Sequence, residues 1–213
     1  MTHGEERERM VSEQLSARGI DDARVLAAMR VVPRHMFVAD ELREQAYCDR
    51  PLPIGDGQTI SQPYIVALMT QSLGVQPGER VLEVGTGSGY QAAVLAEMGA
   101  HVFSVERLAS LAHAANARLS ALGYTAVQVR TGDGNDGWPE AGPFDAVLVT
   151  AATREIPRAP VHQLRVGGRM ILPIGDTDGQ ELVQIWRTAD RLREEYLGGC
   201  RFVKLIGRHG WEL

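Results

Sequence analysis

Cysteine is almost absent from this chain: Cys48 and Cys200 are the two in 213 residues. They form no C-x-x-C pair and have no histidine partners at metal-ligand spacing, so neither a disulfide framework nor a zinc module is expected. The six histidines are dispersed, without an H-E-x-x-H or similar cluster, and no metal is expected. No apolar run is long enough to span a bilayer, and no signal peptide opens the chain. A membrane role is therefore excluded, and a reduced, cytoplasmic setting is expected. Positive charge is in short supply as well. Lys and Arg number 22 against 27 Asp and Glu, for a net charge of -5. The arginines are scattered rather than clustered, which excludes a broad nucleic-acid surface. The mixed run Glu5-Glu6-Arg7-Glu8-Arg9 reads as a solvated helix face. There is no internal repeat and no low-complexity segment.

What is present is ordinary for a globular protein, with 44% hydrophobic and 23% charged residues. The length suits one sizeable domain over residues 1–213. Its first part, 1–75, reads as helices and an irregular loop. Met10, Val11 and Leu15 recur at helical spacing between Glu5 and Arg18, and Gly19 is a stop signal. Asp21 or Asp22 caps a second helix through Met29, which Val32-Pro33 ends. Residues 34–60 carry Pro51, Pro53, Gly55 and Gly57 and read as irregular. Ser61 stands where a helix N-cap belongs, with Pro63 just inside a helix to Leu73.

From Arg80 onward, strands (80–84, 101–106, 127–131, 144–150, 168–173) alternate with helices (near 89–98, 108–122, 156–165). Gly99 and Gly123 stand at C-cap positions. This alternation predicts an α/β fold with a Rossmann-like, doubly wound, mostly parallel sheet over 76–213. The stretches 181–187, 191–197 and 201–206 read as closing antiparallel strands. Ligands in such sheets bind beyond the carboxyl ends of the strands. That rule gathers Gly85–Gly89, Glu106, Gly132-Asp133-Gly134 and Thr150-Ala151-Ala152 on one rim.

The strongest local signal is Val81-Leu82-Glu83-Val84-Gly85-Thr86-Gly87-Ser88-Gly89-Tyr90, an apolar run breaking into a turn with glycine at alternate positions. Glycine there lets the backbone turn sharply and approach a ligand. Roughly twenty residues on, the next strand ends at Glu106, placed to accept hydrogen bonds from ribose hydroxyls. The pair points to a nucleoside-containing cofactor. NAD is disfavoured because Tyr90 occupies the position of the third small residue, and ATP or GTP because no Gly-Lys-Ser/Thr follows. The acid two places before the turn, Glu83, resembles the first motif of class I S-adenosylmethionine methyltransferases. Asp133, in its Gly-Asp-Gly turn, is placed to accept from an adenine amino group, though a plain turn aspartate reads the same way. Thr150-Ala151-Ala152-Thr153 replaces the Asp/Asn-Pro-Pro-Tyr/Phe segment typical of methyltransferases acting on planar amino groups, so a nucleobase acceptor is disfavoured.

The loop Pro51-Leu52-Pro53-Ile54-Gly55-Asp56-Gly57-Gln58-Thr59-Ile60-Ser61-Gln62-Pro63 resembles the signature of the protein-L-isoaspartate O-methyltransferase family. Val31-Val32-Pro33-Arg34-His35-Met36-Phe37-Val38, Ala46-Tyr47, Gly132-Asp133-Gly134, Gly137-Trp138, Pro143-Phe144-Asp145, Val149-Thr150-Ala151-Ala152 and Arg201-Phe202-Val203 agree with it. The resemblance runs from about Met10 to about Trp211. It implies methyl transfer from S-adenosylmethionine, leaving S-adenosylhomocysteine, to L-isoaspartyl residues of damaged peptides and proteins. It makes Ser61 the active-site serine. Glu83, Gly85, Thr86, Gly87, Ser88, Gly89, Glu106, Arg107, Asp133 and Gly134 fall on the cofactor side, and Ile54, Gly57, Gln58, Thr59 and Val203 on the peptide side. One departure is visible: the family usually has Pro after Phe-Val, where this chain has Lys204. Three other readings compete: a relative methylating an aspartate carboxylate during peptide tailoring, a catalytically idle cofactor-binding module, and a small-molecule methyltransferase. The oligomeric state is not fixed, and a monomer is compatible with the sequence.

Overall fold

In the computed structural model, residues 1–208 and 210–211 are described. Thr2 and Glu5 form a capping box that starts helix α1 (His3–Arg9). The helical path continues as a π-helical stretch over Met10–Leu15 and a tight turn over Ser16–Arg18. Gly19, with φ of +92°, ends it as its position in the sequence implies. Asp22 caps α2 (Ala23–Val31), its carboxylate accepting from the Arg24 and Val25 N–H groups.

The segment 34–60 corrects the expectation of an irregular loop. It holds two short 3-10 turns, Arg34–Phe37 and Asp40–Gln45, and a hairpin of β1 (Leu52–Gly55) and β2 (Gln58–Ile60). The prolines that argued against a strand fit because a two-stranded ribbon leaves backbone N–H positions unpaired. Asp56, at φ +51°, and Gly57, at φ +70°, make the tight tip. A second correction concerns Ser61. The N-cap of α3 (Pro63–Leu73) is Gln62, one residue later, and Gln62 caps with no side-chain bond.

The core is a seven-stranded sheet in the order β5-β4-β3-β6-β7-β8-β9. Its strands are β3 (Arg80–Val84), β4 (His101–Glu106), β5 (Val127–Thr131), β6 (Phe144–Val149), β7 (Leu164–Gly175), β8 (Gln180–Arg187) and β9 (Leu192–Cys200). The pairs from β5 through β7 are parallel; β7–β8 and β8–β9 are antiparallel. Helices α4 (Tyr90–Glu97), α5 (Ala109–Ala121) and α6 (Arg158–Gln163) connect the parallel members. Because the parallel strands are covered on both faces, their side chains alternate between two apolar cores. Val81, Val102, Ala146, Leu148 and Ile171 face the layer built by α2, α3 and α4. Leu82, Val84, Phe103, Val105, Val147 and Met170 face the layer of α6 and the C-terminal segment.

The expected strand over 201–206 is not one. Beyond β9 the chain folds back across the carboxyl end of the sheet, held by a bridge between Lys204 and Ala152 and another between Ile206 and Trp211. Among the described residues no helix is long and apolar enough to cross a membrane.

Candidate active site

Strand order reverses between β3 and β6, and an open cleft lies at the carboxyl ends of the strands there. The β3–α4 turn forms its floor. Gly85 and Gly87 have φ of +95° and +52°, values that L side chains rarely adopt. Space is equally restrictive. A β-carbon on Gly85 would collide with the Thr150 hydroxyl, and one on Gly87 would lie 3.3 Å from Ile54 Cδ1. Thr150 fills the room that Gly85 leaves: its hydroxyl donates to the Gly85 carbonyl at 2.6 Å. The Arg118 guanidinium donates to the Ser88 carbonyl at 2.8 Å, tying the turn to α5.

Glu106 is buried at the end of β4 and its carboxylate is pinned. One oxygen accepts from Gly87 N–H at 2.9 Å and the other from Leu108 N–H at 3.0 Å. The acid and the glycine turn thus form one rigid unit. Behind it lies Glu83, fully buried, accepting from the Ser104 hydroxyl, which is itself 2.6 Å from Thr86 Oγ1. Burial pushes the Glu83 carboxyl up to about 8; the Ser104 hydrogen bond only partly offsets this, and Glu106 adds to it. Glu83 is therefore a neutral acid over most of the ordinary range.

The opposite wall comes from β2 and the C-terminal segment. Gln58, Thr59, Ile60 and Ser61 line the cleft, as do Val203, Lys204, Leu205 and Ile206. Ser61 is half-buried, and among the described residues its hydroxyl makes no hydrogen bond.

Of the residues singled out by sequence, the cleft brings together Gln58, Thr59, Ser61, Gly85, Thr86, Gly87, Ser88, Glu106, Arg107, Gly134 and Val203. Glu83 lies beneath the floor, and Gly89 is packed against Leu119. Ile54 and Gly57 belong to the hairpin, where Ile54 rests on Gly87. Asp133 does not line the cleft. Its carboxylate accepts from the Asn135 N–H at 2.9 Å and the Arg208 N–H at 2.7 Å. Burial opposes its ionisation, yet these hydrogen bonds outweigh burial and hold it below the usual carboxylate range.

Sequence reading passed over Asp49. Its carboxylate accepts the Tyr64 N–H at 2.9 Å and pairs with Arg18, so it caps α3 from fifteen residues upstream. The signal is an acid shortly ahead of a helix start, but a cap delivered across a hairpin has no fixed spacing.

The sheet order, the glycine turn and the acid pinned to it define the class: a methyltransferase-type, Rossmann-like fold. The chain belongs to the protein-L-isoaspartate(D-aspartate) O-methyltransferase family, whose model matches residues 5–210. It is 58% identical over 206 residues to protein-L-isoaspartate O-methyltransferase 1 of Syntrophobacter fumaroxidans, covering 97% of this chain and 96% of that one. With the protein-L-isoaspartate O-methyltransferase of Methanoculleus marisnigri it shares 54% identity, covering 97% and 94%. Among solved structures, a protein-L-isoaspartate O-methyltransferase superposes with a TM-score of 0.88 at 32% identity, covering 96% of this chain and 67% of that one. A β-aspartate methyltransferase of Plasmodium falciparum, in complex with S-adenosyl-L-homocysteine, superposes with a TM-score of 0.82 at 28% identity, covering 94% and 98%.

Proposed function

We propose that this chain is a protein-repair enzyme that methylates the free α-carboxylate of L-isoaspartyl residues, with S-adenosylmethionine as donor and S-adenosylhomocysteine as product. One observation carries the reading: the Gln58–Ser61 run and the Gly85–Ser88 turn line the same cleft, in a chain that the family model spans almost end to end.

The residues fit the cofactor. The bare backbone at Gly85 and Gly87 leaves room for the methionine moiety, with Thr86, Ser88 and Gly89 completing the turn. Glu106, held by two N–H groups, keeps lone pairs for the ribose hydroxyls, and Arg107 flanks it. Gly134 bounds the adenine side, and Asp133 acts through the turn it stabilises. Glu83 supports the turn from beneath through Ser104 and Thr86. Bound there, S-adenosylmethionine supplies a methyl group on a cationic sulfonium.

The rest is the protein's work. An α-carboxylate, with an ordinary pKa near ~3.5, is already ionised at neutral pH, so the site needs no general base. It must hold one carboxylate oxygen in line with the methyl and keep water out. Ser61 is the orienting donor, since it lines the cleft and its hydroxyl has no partner among the described residues. Gln58 and Thr59 from β2, with Ile54 and Gly57 above and Val203 opposite, contact the isoaspartyl peptide. The methyl ester so formed yields to acyl substitution where a carboxylate does not: the next backbone nitrogen of the peptide attacks its carbonyl, loses its proton and closes a succinimide, expelling methanol, without further help. Hydrolysis of that ring returns some normal aspartate.

A cytoplasmic site of action is part of the proposal. Both cysteines are free, and burial pushes the Cys200 thiol up to about 11, which makes it a packing group rather than a reactive thiol. The decisive experiment is methyl transfer from labelled S-adenosylmethionine to peptide pairs identical except for Asp or isoAsp. Methylation confined to the isoAsp member is expected. Equal rates on both would move the function to another carboxylate acceptor.

A further inference from the structure

The cleft carries a charge pattern opposite to that of the molecule. Acids outnumber bases 27 to 22 in the chain. Yet the charged side chains lining the cleft are Glu106, Arg107 and Lys204. Glu106 is buried and committed to two N–H groups, whereas Arg107 and Lys204 are exposed. The charge offered to an incoming ligand at the mouth is therefore positive.

Lys204 is also fixed in place. Its backbone bridges Ala152, and its Nζ lies 4.6 Å from the centroid of the Trp211 ring. Trp211 is itself anchored: its indole N–H donates to the Ala152 carbonyl at 3.1 Å. The Arg154 guanidinium also lies over this ring, 4.0 Å from its centroid. Among the described residues none of Arg107, Arg154, Lys204 and Arg208 makes an ion pair. Two nearby acids are held ionised by N–H groups, and neither pairs with Lys204 among the described residues. Asp133 accepts the Arg208 N–H, and Asp176, which feels the Arg154 charge, accepts from the Asp178 and Gly179 N–H groups. An ammonium resting on an indole face keeps N–H donors for a ligand. Being already ordered, it loses little freedom on pairing.

We infer that Lys204 is a specificity-determining residue that favours isoaspartyl sites flanked by an acidic side chain. The inference rests on the peptide side of the cleft being where the proposed function puts it. Arg107 adjoins Glu106 on the cofactor side, but Lys204 follows Val203 on the wall facing the peptide. A flanking Asp or Glu meets the Lys204 ammonium there, while a flanking Lys meets a like charge.

The test uses three isoaspartyl peptides that differ only in the residue beside the isoaspartate: Glu, Gln or Lys. For the wild-type enzyme at low salt, KM is expected to rise in that order, with Glu about three- to fivefold below Gln, the scale of one exposed pair. The gap should close at high salt, because rim charges are screened. In Lys204→Gln the Gln-to-Glu ratio of KM values should fall to about one, while Lys204→Arg retains it and Lys204→Glu inverts it. Equal KM values for all three peptides in the wild type, or an undiminished ratio in Lys204→Gln, would overturn the inference while leaving the proposed function intact. Failure to methylate any of the three would overturn both.

Discussion

Ser61 sits one residue ahead of the α3 cap, and that single-residue offset frees its hydroxyl for the cleft. If it orients the attacking carboxylate, Ser61→Ala loses about 10- to 1000-fold in rate, comparable to removing one preorganised donor. Its stability should barely change, since no helix end depends on it. Single-turnover methylation at saturating S-adenosylmethionine checks this, and a near wild-type rate would remove Ser61 from the mechanism. Glu83 tests the floor of the site through pH. Its folded value of about 8 lies above the ordinary 4.5. Below pH 4.5 both the folded and unfolded chains hold the proton. Between 4.5 and 8 the unfolded chain has released it and the folded chain has not, so the stability contribution of Glu83 declines as pH rises through that window. Glu83→Gln, neutral throughout, should therefore gain on the wild type between pH 5 and pH 8, by on the order of a few kcal/mol. Denaturant unfolding at both pH values measures it; parallel losses in the two proteins would show that Glu83 is not the buried acid described here.

At the scale of elements, α3 starts correctly because Asp49 reaches it from another segment. Asp49→Ala removes a cap and an ion pair with Arg18 together, and should cost about 1–2 kcal/mol of stability. Because Ser61 and Gln62 lead directly into that helix, turnover should fall more than the affinity for S-adenosylhomocysteine. A variant that loses stability but keeps full turnover once folded would confine Asp49 to a structural role. The same element shows where sequence reading stops. The β–α alternation was legible because parallel strands are buried on both faces and read as continuous apolar runs, as in Val81-Leu82 and Val147-Leu148-Val149. Their bounds fall within a residue of expectation for β3 to β6. The hairpin was hidden by Pro51 and Pro53, which forbid a central strand but not a ribbon. Ser61 looked like a cap because the real capping acid lies fifteen residues away. The run Phe202–Ile206 is apolar enough for a strand, yet its partners are isolated bridges to Ala152 and Trp211.

For the molecule as a whole, the glycine turn, Glu106 and Gly134 were legible as one rim because sheet topology dictates where the carboxyl ends of strands converge. Contacts made by the C-terminal segment, such as Arg208 on Asp133, followed no pattern visible in the chain. The assembled cleft should respond to its ligands globally. S-adenosylmethionine and S-adenosylhomocysteine should raise the melting temperature by mass action, and NAD and ATP should not. Glu106→Ala should weaken that binding by about 1–3 kcal/mol, the scale of hydrogen bonds to a charged acceptor. A thermal-shift titration in which NAD stabilises equally would overturn the cofactor assignment.

The hairpin also sets a clock. Ile54 lies over Gly87, and the tip is fastened to α5 by the Ser110 hydroxyl donating to the Asp56 carboxylate at 2.6 Å. That bond is exposed, so breaking it costs on the order of 1 kcal/mol, and the fastening opens readily. If the spent nucleoside lies beneath the hairpin, as proposed, its release needs this fastening open, which adds to the grip of the floor. Asp56→Ala should shorten the residence time of S-adenosylhomocysteine severalfold and leave the bond-making step alone. Stopped-flow dissociation set beside single-turnover methylation separates the two, and an unchanged off-rate would mean that the hairpin keeps no time at all.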